Sequence, residues 1–340
     1  MNFLNLYSKL PNFIKFNKFI LDLSLKTSKK IHNLNSKSNQ NQLFELLFLN
    51  SEFKPRGTLK NIQLLYLELL KFIDNVCNKY DIDYWLTDGT LLGAARHGGF
   101  IPWDDDIDIA FIRKDYEKLI EVLPIEISKH DYFKEMCGIS LLRENHVNYY
   151  KDFNSVYDFQ DDEGLLDEEK FLFLQIAWLK PYIKIDCFPN DFVLEEKVAY
   201  FQKNYVSIKY KFNEEIRWGK KNFEEEIKIK NNAVGFSENK AEYVNRGLDG
   251  LHLNPALLFK SDKIFPLSKI KFEDIEFKCP NDVDYCLRVT YGNSYMHLPN
   301  QIVTHNMVNF LETQFKSKEE MNKKFKKDIE YLRKINDEFE

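Results

Sequence analysis

Residues 103–111 read Trp-Asp-Asp-Asp-Ile-Asp-Ile-Ala-Phe, and few folds can hold such a run. Side chains alternate between faces along a strand, so a strand from Asp106 to Phe111 with its lead-in turns Asp104, Asp106 and Asp108 one way and Asp105 the other. Ile107, Ile109 and Phe111 then form an apolar strip suited to a core. Three carboxylates within about 14 Å on one face repel one another. A solvated acidic turn would relieve that repulsion, but it would not alternate with large apolar residues. A divalent cation relieves it and leaves the strand end in the fold. Oxygen-only donors favour Mg2+ or Mn2+ over zinc. Asp104, Asp106 and Asp108 are thus the expected metal ligands.

The neighbouring segments supply a frame for this strand. From Thr58, the residues Leu59, Ile62, Leu65, Tyr66, Leu69, Phe72, Ile73 and Val76 recur at three- and four-residue steps and predict an amphipathic helix. Asp81–Leu86 reads as a strand, then Asp88-Gly89-Thr90 opens a short helix to Arg96, which Gly98 and Gly99 end with a left-handed cap. Glycine at 89 lets backbone approach a ligand closely, and N–H groups at a helix start can hold phosphate. Gly89 and Thr90 are therefore candidate substrate-binding residues. Arg96 suits a bidentate phosphate contact, with His97 beside it, although a surface arginine and a capping histidine are the plainer alternatives. Arg113–Leu123 reads as a helix, Ile183–Phe188 as a strand ended by Pro189-Asn190-Asp191, and about 195–231 as helical. Residues 313–340 alternate charge signs around Met321, Phe325, Ile329, Leu332 and Ile335, as a solvated surface helix does. The fold class is α+β, a small mixed sheet flanked by helices with helical extensions.

Composition narrows the function. Hydrophobic residues make up 44% of the 340 and aromatics 15%, ample for a packed core. The net charge of −5 hides an asymmetry: residues 1–40 carry seven Lys and one Asp, so the remainder is strongly acidic. An acidic body is a poor nucleic-acid binder, and no nucleic-acid partner is expected. The five scattered cysteines, with no CxxC pair, read as reduced core thiols and a cytoplasmic location. No signal peptide and no apolar run of membrane-spanning length is expected. Residues 11–33 mix large apolar residues with five lysines, a pattern that could lie in a membrane interface at the inner face. Residues 33–42 read as a linker. The domain reading is a basic amphipathic extension and linker over 1–50, a catalytic domain over 51–312, and the surface helix over 313–340.

A strand, a Gly-Thr turn opening a helix, and a second strand bearing Asp-x-Asp is the layout of the nucleotidyltransferase superfamily. Within it, residues 87–111, TDGTLLGAARHGGFIPWDDDIDIAF, resemble the signature of the LicD/fukutin family. The resemblance continues through Ile185-Asp186-Cys187-Phe188-Pro189, Pro280–Tyr285, Tyr291–Met296 and Leu298-Pro299, covering roughly 58–305. Cys187 departs from the aliphatic or aromatic residue usual there, and about 130–180 matches nothing recognisable. The resemblance implies a phosphotransferase moving phosphocholine or a polyol phosphate from a CDP-linked donor to a glycan or lipid-linked glycan. It also implies Asp186 as a further carboxylate from a neighbouring strand, so that Asp106, Asp108 and Asp186 are catalytic and Asp186 joins the metal ligands. A strand-end Asp186 capping the Pro189 turn is the structural alternative. His305 is a family-like late histidine without a clear role, and Trp103 reads either as a base-stacking ring or as core. Two other functions stay open at this level: a nucleotidyltransferase passing NMP from an NTP, and a non-catalytic membrane-recruited scaffold. The three repelling acids speak against the scaffold.

Overall fold

The computed structural model describes residues 55–140, 173–178, 183–217, 222–250, 257–299 and 307–339. The basic stretch 11–33, the linker 33–42 and His305 lie outside these. The first element is helix α1, Thr58–Lys79. Its predicted stripe is buried, with Ile62, Leu65, Leu69, Ile73 and Val76 wholly enclosed, but the helix is covered on a second side as well. The chain turns at Asp81, whose φ of 52° is left-handed, while the Ile82 N–H donates to the Cys77 carbonyl at 2.8 Å. That wrap delays strand β1 to Tyr84–Leu86, shorter than predicted. Helix α2, Asp88–His97, follows and ends on Gly98 at φ 70°, the predicted left-handed cap. Strand β2 is Ile107–Ile112 and leads directly into α3, Arg113–Ile127. The predicted end of α3 before Pro124 is corrected. Pro124 lies within the last turn, and its carbonyl still accepts from the Ser128 N–H at 3.0 Å.

Short helix α4, Asp131–Met136, precedes β3, Cys137–Ser140, and β4, Leu174–Trp178. Strand β5 runs from Ile183 to Val193. The expected stop at Pro189 is therefore also corrected. Pro189 offers no N–H, yet the buried Asn190 side chain donates to the carbonyls of Phe111, at 3.3 Å, and Phe188, at 3.0 Å, and so adds a donor beside the gap. Helices α5, Val198–Arg217, and α6, Phe223–Val234, take up most of the predicted helical region. Then come β6, Phe236–Ser237; β7, Tyr243–Arg246; β8, Phe259–Lys260; and α7, Ser261–Ile264. The remainder is the hairpin of β9, Ser268–Phe272, and β10, Ile275–Cys279, with helices α8, Val283–Tyr291, α9, Met307–Gln314, and α10, Lys318–Asp337.

The architecture is the mixed α+β arrangement expected. The main sheet runs β1-β2-β5-β4-β3, and β6 and β7 pair with the far half of β5. Only β2 and β5 are parallel among these pairs; every other ladder is antiparallel. One core fills the space between this sheet, α1, α3 and α10, and a second lies beneath α5 and α6 around Phe201, Tyr205 and Phe212. Helix α10 departs from the solvated surface helix expected. Met321, Phe325, Ile329, Leu332 and Ile335 are all buried. The helix packs on α1, where buried Glu68 accepts from Arg333 at 2.9 Å and from Asn336 at 3.2 Å. The charge alternation is genuine on the exposed side, and the apolar period sets the buried one. All five cysteines are buried free thiols. Among the described residues no helix is long and apolar enough to cross a membrane.

Candidate active site

The acids gather on the seam between the two parallel strands. Asp108 on β2 and Asp186 on β5 are partners in register, so their side chains emerge side by side from one face. Both are half-buried, while their neighbours Ile107, Ile109, Ile185 and Cys187 are enclosed. The alternation extends upstream: Asp104 and Asp106 are half-buried and Asp105 is only 2% exposed. The strand proper begins at Ile107, one residue later than predicted. The extended lead-in is held instead by Gln63 of α1, whose amide donates to the carbonyl of Asp104 at 2.8 Å and of Ile101 at 3.3 Å.

Helix α2 is fastened to the same strand at its first turn. The Asp108 N–H donates to Thr90 Oγ1 at 2.8 Å, and the Thr87 N–H donates to the Asp108 carbonyl at 3.2 Å. Thr90 thus positions the strand bearing Asp108. Gly89 sits against two carboxylates: a Cβ there would lie 3.1 Å from Asp104 Oδ2 and 3.9 Å from Asp108 Oδ2. Any side chain at 89 would therefore press on the acids, which is a physical reason for glycine at this place. On the β5 side, the Gln175 amide of β4 donates to Asp186 Oδ1 at 2.8 Å and fixes that carboxylate.

Arg96 points elsewhere than its sequence reading proposed. Its Nη1 donates to the carbonyls of Tyr295, at 3.0 Å, and His297, at 3.1 Å, and its Nε to His97 Nε2 at 3.0 Å. Only 8% exposed, it ties α2 to the segment after α8. The His97 ring meets Trp103 edge-on at 6.2 Å, and Trp103 packs on the main core.

Several residues at the site were not foreseen. Asp88 has a φ of 44°, left-handed for a non-glycine residue at the head of a helix. Its carboxylate pairs with Arg246 at the end of β7, which also donates to Thr87 Oγ1 at 3.2 Å. The Tyr66 hydroxyl accepts from the Lys184 N–H at 3.0 Å. Burial first, and then Asp106, Asp105 and Asp186, push that phenol's pKa well up. Tyr291, 42% exposed as a residue, feels the same acids: desolvation of its hydroxyl, then Asp88, Asp108, Asp104 and Asp106, raise its pKa too. Tyr291 falls within a stretch of the resemblance that carries no assigned role, while Tyr66 of α1 and Arg246 of β7 carry no local motif. Position within the sheet is what makes them neighbours.

Burial and like charge dominate the electrostatics at Asp108. Burial, then the charges of Asp106, Asp88 and Asp186, hold the Asp108 carboxyl well above the usual range, and Arg246 opposes them in part. Among the described residues no group of three or more His, Cys, Asp or Glu side chains is arranged as a ready cation cage. The donor chemistry nevertheless fits a hard cation. Asp104 and Asp108 oxygens both lie against Gly89, and the charges of Asp106 and Asp186 act on Asp108; this repulsion is what a divalent ion would remove.

Part of the chain that carries these residues resembles known proteins. Residues 81–207, under half of the chain, match the family model described as LicD/FKTN/FKRP, nucleotidyltransferase domain. The chain is 45% identical over 73 residues, 22% of its length, to lipopolysaccharide cholinephosphotransferase LicD of Haemophilus influenzae. It is 44% identical over 48 residues, 14% of its length, to human ribitol 5-phosphate transferase FKRP. A Rickettsia typhi chain named uncharacterized protein RT0683 is 31% identical over 150 residues, 43% of this chain. These matches span 28%, 10% and 38% of the three relatives' own lengths.

Proposed function

We propose, from the premise that residues 81–207 are a LicD-type nucleotidyltransferase domain, that this chain transfers a substituted phosphate group, phosphocholine or a polyol phosphate, from a CDP-linked donor to a glycan, releasing CMP. The observation that carries the reading is the in-register pairing of Asp108 with Asp186 beside the Gly89 turn. Support comes also from the activities for which the Haemophilus and human relatives are named.

Mg2+ or Mn2+ held by Asp104, Asp106, Asp108 and Asp186 would supply charge neutralisation for the donor diphosphate. The chain's own groups do the rest. Gly89 leaves room for phosphate oxygens to approach the backbone at the head of α2. Thr87 and Thr90 hold that turn in register with Asp108. Asp186, steadied by Gln175, accepts the proton of the acceptor hydroxyl as its oxygen bonds to the transferred phosphorus and the bond to the CMP oxygen breaks. Residues 11–33 would bring the domain to anionic head groups. Deleting residues 1–40 should then reduce sedimentation with anionic vesicles, and equal sedimentation would exclude that contact.

The decisive assay offers the protein Mg2+, a crude polysaccharide acceptor, and CDP-choline, CDP-ribitol, CDP-glycerol or free NTPs. CMP should be released from at least one CDP compound, with little pyrophosphate from any NTP. Pyrophosphate release without CMP would replace this reading with a nucleotidyltransferase acting on the α-phosphorus.

A further inference from the structure

Arg246 ends β7 opposite Asn190 on β5, on the strand that carries Asp186. Its guanidinium lies over the Phe188 ring with its carbon 4.1 Å from the centroid. Nη2 engages Asp88 and Thr87 at the head of α2. The residue is 4% exposed, and Nη1 is enclosed without a hydrogen-bond partner. A charged donor left unmatched in the interior is costly, and a fold retains one chiefly where a ligand completes it. Two other guanidiniums drawn into the fold are filled: Arg113 by Asp191 and Asp249, and the Arg96 Nη1 by two carbonyls.

We infer that Arg246 is a phosphate-binding residue of this site, its Nη1 taking an anionic oxygen of the bound diphosphate, with Asp88 as the counter-ion that holds the guanidinium in place beforehand. The chemistry favours phosphate. A planar fork with one nitrogen anchored and another spare matches a tetrahedral anion. The site is otherwise lined by carboxylates that repel one, and Arg246 is the cation whose field Asp108 feels. The inference deepens the proposed reaction but depends on it only for the identity of the donor.

Its test uses inorganic pyrophosphate with Mg2+ as the probe, followed by calorimetry on the full chain. Arg246→Gln should weaken pyrophosphate binding about tenfold or more, and Arg246→Lys should recover part of the loss. Asp88→Asn, which frees the guanidinium from its counter-ion, should keep or tighten binding. Three results would overturn the inference: no binding by the wild type, unchanged binding by Arg246→Gln, or a loss in Asp88→Asn as large as in Arg246→Gln. The last would mean that Arg246 serves only to hold Asp88. Should Arg246→Gln fail to fold, Asp88→Asn decides against the wild type: kept or tighter binding supports the inference, and a loss of about tenfold or more overturns it. Pyrophosphate carries no cytidine and is no CDP donor. Failure of CMP release therefore leaves this inference standing, and unchanged pyrophosphate binding leaves the donor assignment standing.

Discussion

The same two stretches of chain carry two opposite treatments of charge. Asp108 on β2 and Asp186 on β5 face each other on one side of the parallel seam. Five residues further along each stretch, Arg113 and Asp191 meet at the other end. There Arg113 pairs with Asp191 at 2.6 Å and with Asp249 at 2.7 Å, both acids nearly inaccessible. Those two acids outweigh burial and hold the guanidinium firmly charged. At the first end the charges repel and the carboxyl of Asp108 is driven up; at the second a cation stands between the acids. A buried pair with complementary geometry is a way of building a corner, and a half-buried set of like charges needs something from outside the chain. Burial alone would not separate the two, since both are drawn into the fold. The sign of the neighbour does.

The largest effect should come from the repelling end. Asp106→Asn and Asp108→Asn should lower turnover on the order of a thousandfold, because each removes a charge that organises the reacting phosphate. Stability should hold or rise. With its carboxyl pKa raised in the folded state, Asp108 opposes folding at every pH above the unfolded value, and the amide removes that cost. Mg2+ should raise the melting temperature of the wild type and not of the variants. Equal Mg2+ shifts in all three proteins would mean that the repelling end holds no cation.

The paired end should answer in the opposite way. Arg113→Met leaves Asp191 and Asp249 buried without their cation and should cost about 3–5 kcal/mol in urea unfolding. Purified variant that remains folded should keep the same Mg2+ shift as wild type. A loss below about 1 kcal/mol would show the pair to be replaceable and would blur the distinction between the ends.

Sequence alone made one end legible and hid the other. The Asp104 to Asp108 alternation is local, within one strand and its lead-in, so period and sign could be read directly. Asp186 became readable only through resemblance, since nothing in Ile185-Asp186-Cys187 says which strand lies beside it. The pair Arg113–Asp191–Asp249 joins three segments separated by up to 136 positions, and Arg113 read as an ordinary helix start. Arg246 was hidden for the same reason, and Tyr291 lay in a stretch of the resemblance without an assigned role. The long helices α1, α3, α5, α6 and α10 came from apolar period and charge, whereas β3, β4, the strands β6–β10 and the helices α4, α7, α8 and α9 were not assigned, because such short runs show no period of their own. Pro189 misled because proline is a good stop signal unless a side chain fills in for the missing donor, as Asn190 does here.

A smaller effect would sharpen the picture of the paired end. Lys209 of α5 is wholly buried beside it, donating to the Gly247 carbonyl at 2.8 Å and to the Tyr205 hydroxyl at 3.2 Å. Burial, helped by Arg246 and Arg113 and opposed by Asp249, brings its pKa down to about 7. Below that pH the folded and unfolded chains both hold the proton, and the cost of burying it is constant. Between about 7 and the unfolded value of 10.5, only the unfolded chain holds it, so stability should climb by up to about 1.4 kcal/mol per pH unit from this group. Lys209→Met should abolish that climb, and other groups titrating in this range cancel in the difference between the two proteins. Urea unfolding at pH 7, 8 and 9 measures it: the wild type should gain on the variant as pH rises. Parallel curves would mean that Lys209 stays charged throughout. The paired end would then hold two cations against its two acids, and its balance with the repelling end would be complete at any pH.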